Sequence, residues 1–128
     1  MKGEQFIAEV KNLAELDSDE DAQKTVRATL ETLRERLAGN EPADLAAQLP
    51  PEIAPFVEGA GEREAFSVQE FYERVAHKEG TKSEEAVKNA RAVATVLQTA
   101  VTGGELEDVR SQLSNVYEGL FGQPGSSA

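Results

Sequence analysis

The chain has 128 residues, no cysteine and a formal net charge of −11 at pH 7. This length fits one domain with one core, and the lack of cysteine excludes disulfides, thiolate metal sites and cysteine nucleophiles, consistent with a cytoplasmic location. The charge argues against nucleic acid and anionic membranes as partners, and no stretch has the roughly 18 uninterrupted apolar residues of a membrane-spanning helix.

Helical periodicity dominates the first half. Apolar residues at spacings of three and four predict an amphipathic helix over about residues 5–16. Ser18 is suited to begin a long second helix, which we expect Gly39 to end as a left-handed cap. A shorter helix over 42–49 and a single turn over 51–57 should follow.

The second half opens with a strong helix-start signal. Ser67 with Glu70 makes a capping box, and Phe66 with Phe71 makes a hydrophobic staple around it. The preceding residues 58–66 have the composition of a linker. This arrangement predicts a helix that begins immediately after Ser67.

Two further helices and a short last one are expected after that. Ser83 should cap a long helix that Gly103 and Gly104 close, and a helix over 105–113 follows. A short last helix would place Leu120 and Phe121 on the core, and residues 122–128 would form a flexible tail.

One pattern occurs twice in the chain. Residues 39–49 and 103–113 both read G-x-E-x-x-D-x-x-x-Q-L, and a gapless alignment of 22–57 with 86–121 matches ten of 36 positions. We interpret this as a tandem duplication of a three-to-four-helix unit, with repeat one over about 4–57 and repeat two over about 67–121. The predicted fold is therefore a single all-α domain over 1–121, in which the repeats pack as one helical bundle with a shared core. The repeated pattern itself is interpreted as a hinge between helices.

The same segments resemble a known family. They are E-Q-F-I-A-E-V in the first helix, T-L-R-E-R-L at the end of the second, D-L-A-A-Q-L-P-P-E after it, and A-R-A-V-A-T-V-L with D-V-R-S-Q-L in the second copy. Together they resemble the bacterial and archaeal family called domain of unknown function 2267, over nearly the whole chain. The resemblance implies an all-helical soluble protein and carries no known activity, cofactor or catalytic residue. One departure is Ser114, which stands where the first copy has Pro50.

Residues that could carry chemistry are few. Asp17, Asp19 and Asp21 alternate as in a calcium loop, but the glycine and the distal glutamate of such a loop are missing. His77 is the only histidine, so one chain cannot build a multi-histidine metal site. None of the 24 acidic residues has apolar sequence surroundings that would raise its pKa. We therefore predict no catalytic, cofactor-binding or metal-binding residue, and no enzymatic activity.

Arg27 and Arg91 occupy equivalent positions of the two copies, off the apolar stripes. Arg27 can pair with Glu31 one helical turn later, whereas Arg91 meets Thr95 at that spacing. Each arginine could satisfy helix-end carbonyls or a carboxylate of another helix. The alternative is that both are contacts for an anion or a partner.

These observations favour a non-enzymatic helical interaction module that presents a surface or groove to a protein partner, or to a second copy of the chain. The alternative is a small-molecule-binding protein with a pocket between the two repeats. The almost wholly apolar stripes favour the first hypothesis, because a ligand pocket would place polar residues among them.

Overall fold

Helices are the only regular secondary structure among the described residues, which in this computed structural model are 1–58, 64–113 and 120–121. In chain order they are α1 (Gly3–Leu13), α2 (Asp19–Arg36), α3 (Glu41–Ala46), a 3₁₀ turn (Ala54–Phe56), α4 (Val68–Glu79), α5 (Ser83–Ala100) and α6 (Gly103–Leu113). The predicted all-α class is confirmed. Most of the predicted linker, most of the predicted last helix and the tail lie outside the described residues.

The two long helices, α2 and α5, form the centre of the bundle. They pack against each other, and α1 and α4 each pack against both of them. The core is one continuous cluster that includes the fully buried Phe6 of α1, Leu30 of α2, Phe71 of α4 and Leu97 of α5. Both halves of the chain therefore contribute to one hydrophobic core.

The predicted helix starts at Ser18 and Ser67 are confirmed. Each serine lies at the N-cap, and its Oγ accepts a hydrogen bond from the backbone N–H three residues later, at 3.1 Å in both cases. The rings of Phe66 and Phe71 lie 6.3 Å apart between centroids, as a hydrophobic staple requires. Local sequence therefore determines both starts.

The predicted helix ends are wrong by a few residues. Gly39 does adopt a left-handed conformation (φ 64°), but α2 already ends at Arg36 and is followed by an extended residue, Leu37. In the second half α5 ends at Ala100, and Gly103 begins α6 instead of closing α5. The reason is tertiary, because side chains from the opposite half accept hydrogen bonds from the backbone just beyond each long helix.

The chain segments after α2 and α5 meet at one end of the bundle, where α3 packs against α6. None of the helices in the described part of the chain has both the length and the apolar character needed to span a bilayer.

Candidate functional site

The two copies of the repeated pattern contact one another at the α3–α6 end of the bundle. Gln48 Oε1 of the first copy accepts a hydrogen bond from Thr102 N, just beyond α5, at 2.7 Å. Gln112 Oε1 of the second copy accepts one from Ala38 N, just beyond α2, also at 2.7 Å. Each glutamine thus holds the end of the other half's long helix, so the repeated pattern is a reciprocal clasp.

Three carboxylates of the repeated pattern converge between α3 and α6. Glu41 of α3 with Glu105 and Asp108 of α6 have carboxylate oxygens that all lie within 4.8 Å of one another. Glu41 and Glu105 are each only 7% exposed, whereas Asp108 is exposed. We call these three residues the carboxylate cluster. Asp44, the first copy's counterpart of Asp108, is exposed on α3 and adds a fourth negative charge nearby.

Burial and mutual repulsion change the acidity of this cluster. The pKa of Glu105 is raised to about 8, first by burial, then by its hydrogen bond to the Glu41 carboxyl and by the charges of Glu41, Asp44 and Asp108. The expectation that no acidic residue lies in surroundings that raise its pKa is wrong, because tertiary packing buries what the local sequence leaves exposed.

The carboxylate cluster also contains hydrogen-bonding capacity that the protein does not use. Glu41 Oε1 and Glu105 Oε2 are buried and have no hydrogen-bond partner among the described residues. An all-oxygen donor set of this kind could hold a hard divalent cation. The prediction of no metal-binding residue did not consider this grouping, because Glu41 and Glu105 are far apart in the chain. The repeated E-x-x-D was the signal that could have revealed it.

A second buried carboxylate lies between the two long helices. Glu79, at the end of α4, accepts hydrogen bonds from Thr25 Oγ1 of α2 at 2.7 Å and from Asn89 Nδ2 of α5 at 3.1 Å. Burial raises its pKa, against the lowering effect of these two hydrogen bonds. Thr25 and Asn89 are equivalent positions of the two copies, so Glu79 joins α2 to α5 at matching points and has a structural role.

Arg27 already has a carboxylate partner in its own helix. Its Nε lies 3.0 Å from Glu31 Oε2, and its guanidinium lies 6.0 Å from the centre of the Phe56 ring. Because most of the Arg27 side chain is exposed to solvent, its ion pair with Glu31 stabilises the helix only weakly. The charge of Arg27 is nevertheless satisfied within the chain.

Arg91 lies in different surroundings. Thr95 takes the place of Glu31 one turn along α5, and its hydroxyl donates to the Arg91 carbonyl at 2.9 Å. Among the described residues no carboxylate lies within ion-pair distance of Arg91, and its buried Nε has no hydrogen-bond partner. Its charge acts on Tyr72 of α4, lowering the pKa of that phenol against a larger raising effect of burial.

A groove of about 430 Å³ runs beside Arg91, between α1 and α5. Leu13, at the end of α1, forms one side of it and is 52% exposed, which is unusual for a leucine beside a core. Val87, Arg91 and Thr95 line the other side at intervals of one helical turn, and we call these three residues the α5 face. Glu84 and Lys88 also line the groove, which therefore combines exposed apolar surface with charges of both signs, among them Arg91 without an ion-pair partner in the described part of the chain.

The other residues singled out in the sequence lie apart from these features. Asp19 begins α2 and lies 3.4 Å from Lys11 Nζ of α1. Asp17 and Asp21 are exposed near the same helix start, and His77 is exposed on α4.

Fold and sites together define a small all-helical protein with a reciprocal clasp, a buried carboxylate cluster and an open cationic groove. The chain belongs to the family described as an uncharacterised conserved protein, DUF2267, which matches residues 3–120. This confirms the family resemblance. A comparison with curated proteins gave no match.

Proposed function

We propose that this protein is a non-enzymatic helical interaction module of the cytoplasm, which docks a segment of another protein on the α5 face. One observation supports this proposal most strongly. Arg27 is neutralised by Glu31, whereas the equivalent Arg91 faces Thr95 and keeps its charge. A partly buried arginine without an acceptor is costly unless another molecule supplies one.

The surroundings of Arg91 indicate what the partner must present. Exposed Leu13 and partly buried Val87 offer apolar surface on either side of the guanidinium. Lys88 also lines the groove, although it lies 3.5 Å from Glu85 of its own helix. An amphipathic helix with one large apolar side chain and one carboxylate a turn away would fill the groove and pair with Arg91.

Charge argues for another protein over a second copy of this chain. Two copies would each bring a net charge of −11, and their repulsion opposes a close approach. An acidic residue of a different protein can pair locally with Arg91, at a distance from Glu84, which also lines the groove two helical turns before it.

A small carboxylate ligand is the second candidate. The groove does lie between the first and the second half of the chain, where a ligand pocket was predicted. However, it is wide open to solvent and would leave most of a small molecule exposed, whereas ligand sites enclose most of the ligand's surface. An elongated peptide segment fits such a groove better.

Photo-crosslinking inside cells of the host can test the docking proposal. A photoreactive p-benzoylphenylalanine is placed at Val87 or, as a matched control, at Gln23, the equivalent residue of α2. We expect a discrete adduct with another protein from Val87 and none from Gln23, with the crosslinked peptide containing Asp or Glu. A synthetic copy of that peptide should then bind the purified protein in solution.

Two variants separate docking from stability. Thr95→Glu would give Arg91 the in-chain partner that Glu31 gives Arg27, and should abolish the adduct without lowering the melting temperature. Arg27→Ala serves as the control and should leave the adduct unchanged. The proposal fails if no adduct forms, if Gln23 gives the same adduct, or if Thr95→Glu has no effect. An adduct with the chain itself would replace the proposed partner by self-association.

We also infer that the two halves arose by tandem duplication. The reciprocal clasp supports this, because Gln48 and Gln112 make the same hydrogen bond from equivalent positions. The equivalent residues Thr25 and Asn89, which both donate to Glu79, give further support. The test is to express residues 1–64 and 65–128 separately and to ask whether an equimolar mixture regains the helical circular dichroism of the full chain. Halves that fail to associate would count against a shared two-fold arrangement.

A further inference from the structure

We propose that the carboxylate cluster of Glu41, Glu105 and Asp108 is a binding site for a hard divalent cation of the size of Ca²⁺. The site is independent of the α5 face and of the docking function. It is formed where the two copies of the repeated pattern meet, so that each copy contributes ligands.

The main evidence for this site is a pair of buried carboxylate oxygens that have no hydrogen-bond partner, since three neighbouring acids alone would not indicate a metal. Surface acids are ordinarily solvated, but Glu41 and Glu105 are each 93% buried, as their 7% exposure shows. Each has a buried oxygen, Glu41 Oε1 and Glu105 Oε2, without a hydrogen-bond partner among the described residues. Buried carboxylates usually have their acceptors filled by donors or by a metal. Among the side chains that the structure describes, none donates a hydrogen bond to these two atoms.

The dimensions of the cluster are compatible with one shared calcium ion. Two oxygens on opposite sides of one Ca²⁺ lie roughly 4.6 to 5.2 Å apart, twice the usual Ca–O distance. The cluster's oxygens are no more than 4.8 Å from one another, which is close enough for one such ion to contact all three carboxylates. Mg²⁺ demands nearly ideal octahedral geometry and gives up its water reluctantly, so a site of three converging carboxylates favours the more adaptable Ca²⁺. The exposed Asp108 leaves an open side through which water can complete the coordination shell.

Charge favours the same ion. Glu41 and Asp44 on α3 with Glu105 and Asp108 on α6 repel one another, and no salt bridge joins any of them to a lysine or arginine whose side chain the structure describes, a set that leaves out Arg110. A divalent cation held between the two helices would offset the repulsion among these converging carboxylates.

Isothermal titration calorimetry with CaCl₂ on the full chain tests the assignment. Titrations at pH 7 should show one saturable site. Parallel melts should show a melting temperature that rises with the logarithm of the CaCl₂ concentration. MgCl₂ should bind at least tenfold more weakly.

The double variant Glu41→Gln, Glu105→Gln should lose the site. It keeps the side-chain volumes and removes the repulsion, so we expect it to fold and to lose at least tenfold in Ca²⁺ affinity. The control Asp17→Asn, Asp19→Asn removes two charges from the other acidic segment and should bind as the wild type does. The proposal is overturned if millimolar CaCl₂ gives neither a heat nor a melting shift, or if the double variant responds as strongly as the wild type.

Discussion

The reciprocal clasp makes a quantitative prediction, because its two hydrogen bonds have the same length but different exposure. Gln112 accepts from Ala38 N in a partly buried position, whereas Gln48 accepts from Thr102 N in an exposed one. Replacing either glutamine by alanine removes one hydrogen bond to the backbone. The N–H left behind can bind water easily at Thr102 and less easily at Ala38.

The expected costs follow from this difference. A lost neutral hydrogen bond lowers the free energy of unfolding by about 1 kcal/mol, and an N–H that stays partly unsatisfied costs about 1 kcal/mol more. We therefore expect Gln112→Ala to lower the free energy of unfolding by about 2 kcal/mol, and Gln48→Ala by at most about 1 kcal/mol. For a domain of this size these values correspond to melting temperatures lower by roughly 6–10 °C and 3–5 °C.

Urea unfolding followed by circular dichroism at 222 nm measures both variants. Gln23→Ala, an exposed substitution on α2, provides the baseline for losing a glutamine side chain and should change the free energy by less than about 0.5 kcal/mol. If Gln112→Ala cost no more than Gln23→Ala, or if Gln48→Ala cost more than Gln112→Ala, the clasp would not hold the helix ends as described.

Three further predictions concern charge and backbone. The pKa of Glu105 is raised to about 8, so protonation of this carboxyl stabilises the fold fully below about pH 4.5, and the stabilisation is lost as the pH rises through 8. Urea unfolding should therefore give a lower free energy of unfolding at pH 9 than at pH 6, and Glu105→Gln should reduce that difference. Glu79→Gln should lower the free energy of unfolding by about 1 kcal/mol at pH 8, because its amide nitrogen would face donors that now bind both carboxylate oxygens; an increase would contradict the hydrogen-bond assignment. Glu15 (φ 55°) and Gly80 (φ 73°) both have a left-handed backbone, which glycine adopts at a lower cost than other residues. Thermal melts should therefore show that Glu15→Gly stabilises the fold and that Gly80→Ala destabilises it, each by about 1 kcal/mol. Changes in stability of the same sign for both variants would refute this argument.

The features that could be predicted from sequence are those that depend on neighbouring residues. A serine that caps the N–H three residues later, as at Ser18 and Ser67, needs nothing from the rest of the fold. The ends of α2 and α5 depend on Gln112 and Gln48 from the opposite half, so local signals such as Gly39 placed them too late. Tertiary contacts overrode the glycine signal.

The carboxylate cluster was missed for a related reason. Read along the chain, Glu41 and Glu105 are ordinary acids beside glycines, and only the packing of α3 on α6 buries them together. The repetition did contain the necessary information. In the two-fold arrangement that we propose for the halves, equivalent residues close to the axis lie near each other, so one acid of the repeated pattern becomes a pair of acids.

The same symmetry separates the two proposed sites. At the contact between the two copies, equivalent positions carry the same residue. Glu41 and Glu105 interact with each other, and Gln48 and Gln112 each accept a hydrogen bond from the opposite half. Where the copies differ away from that contact, as Glu31 and Thr95, one half satisfies its own surface and the other does not. Selection for folding alone would be met by Glu at both positions, because it neutralises the adjacent arginine. The threonine leaves Arg91 available to an outside carboxylate, so the difference between the copies supports the proposed docking face and their identity supports the proposed cation site.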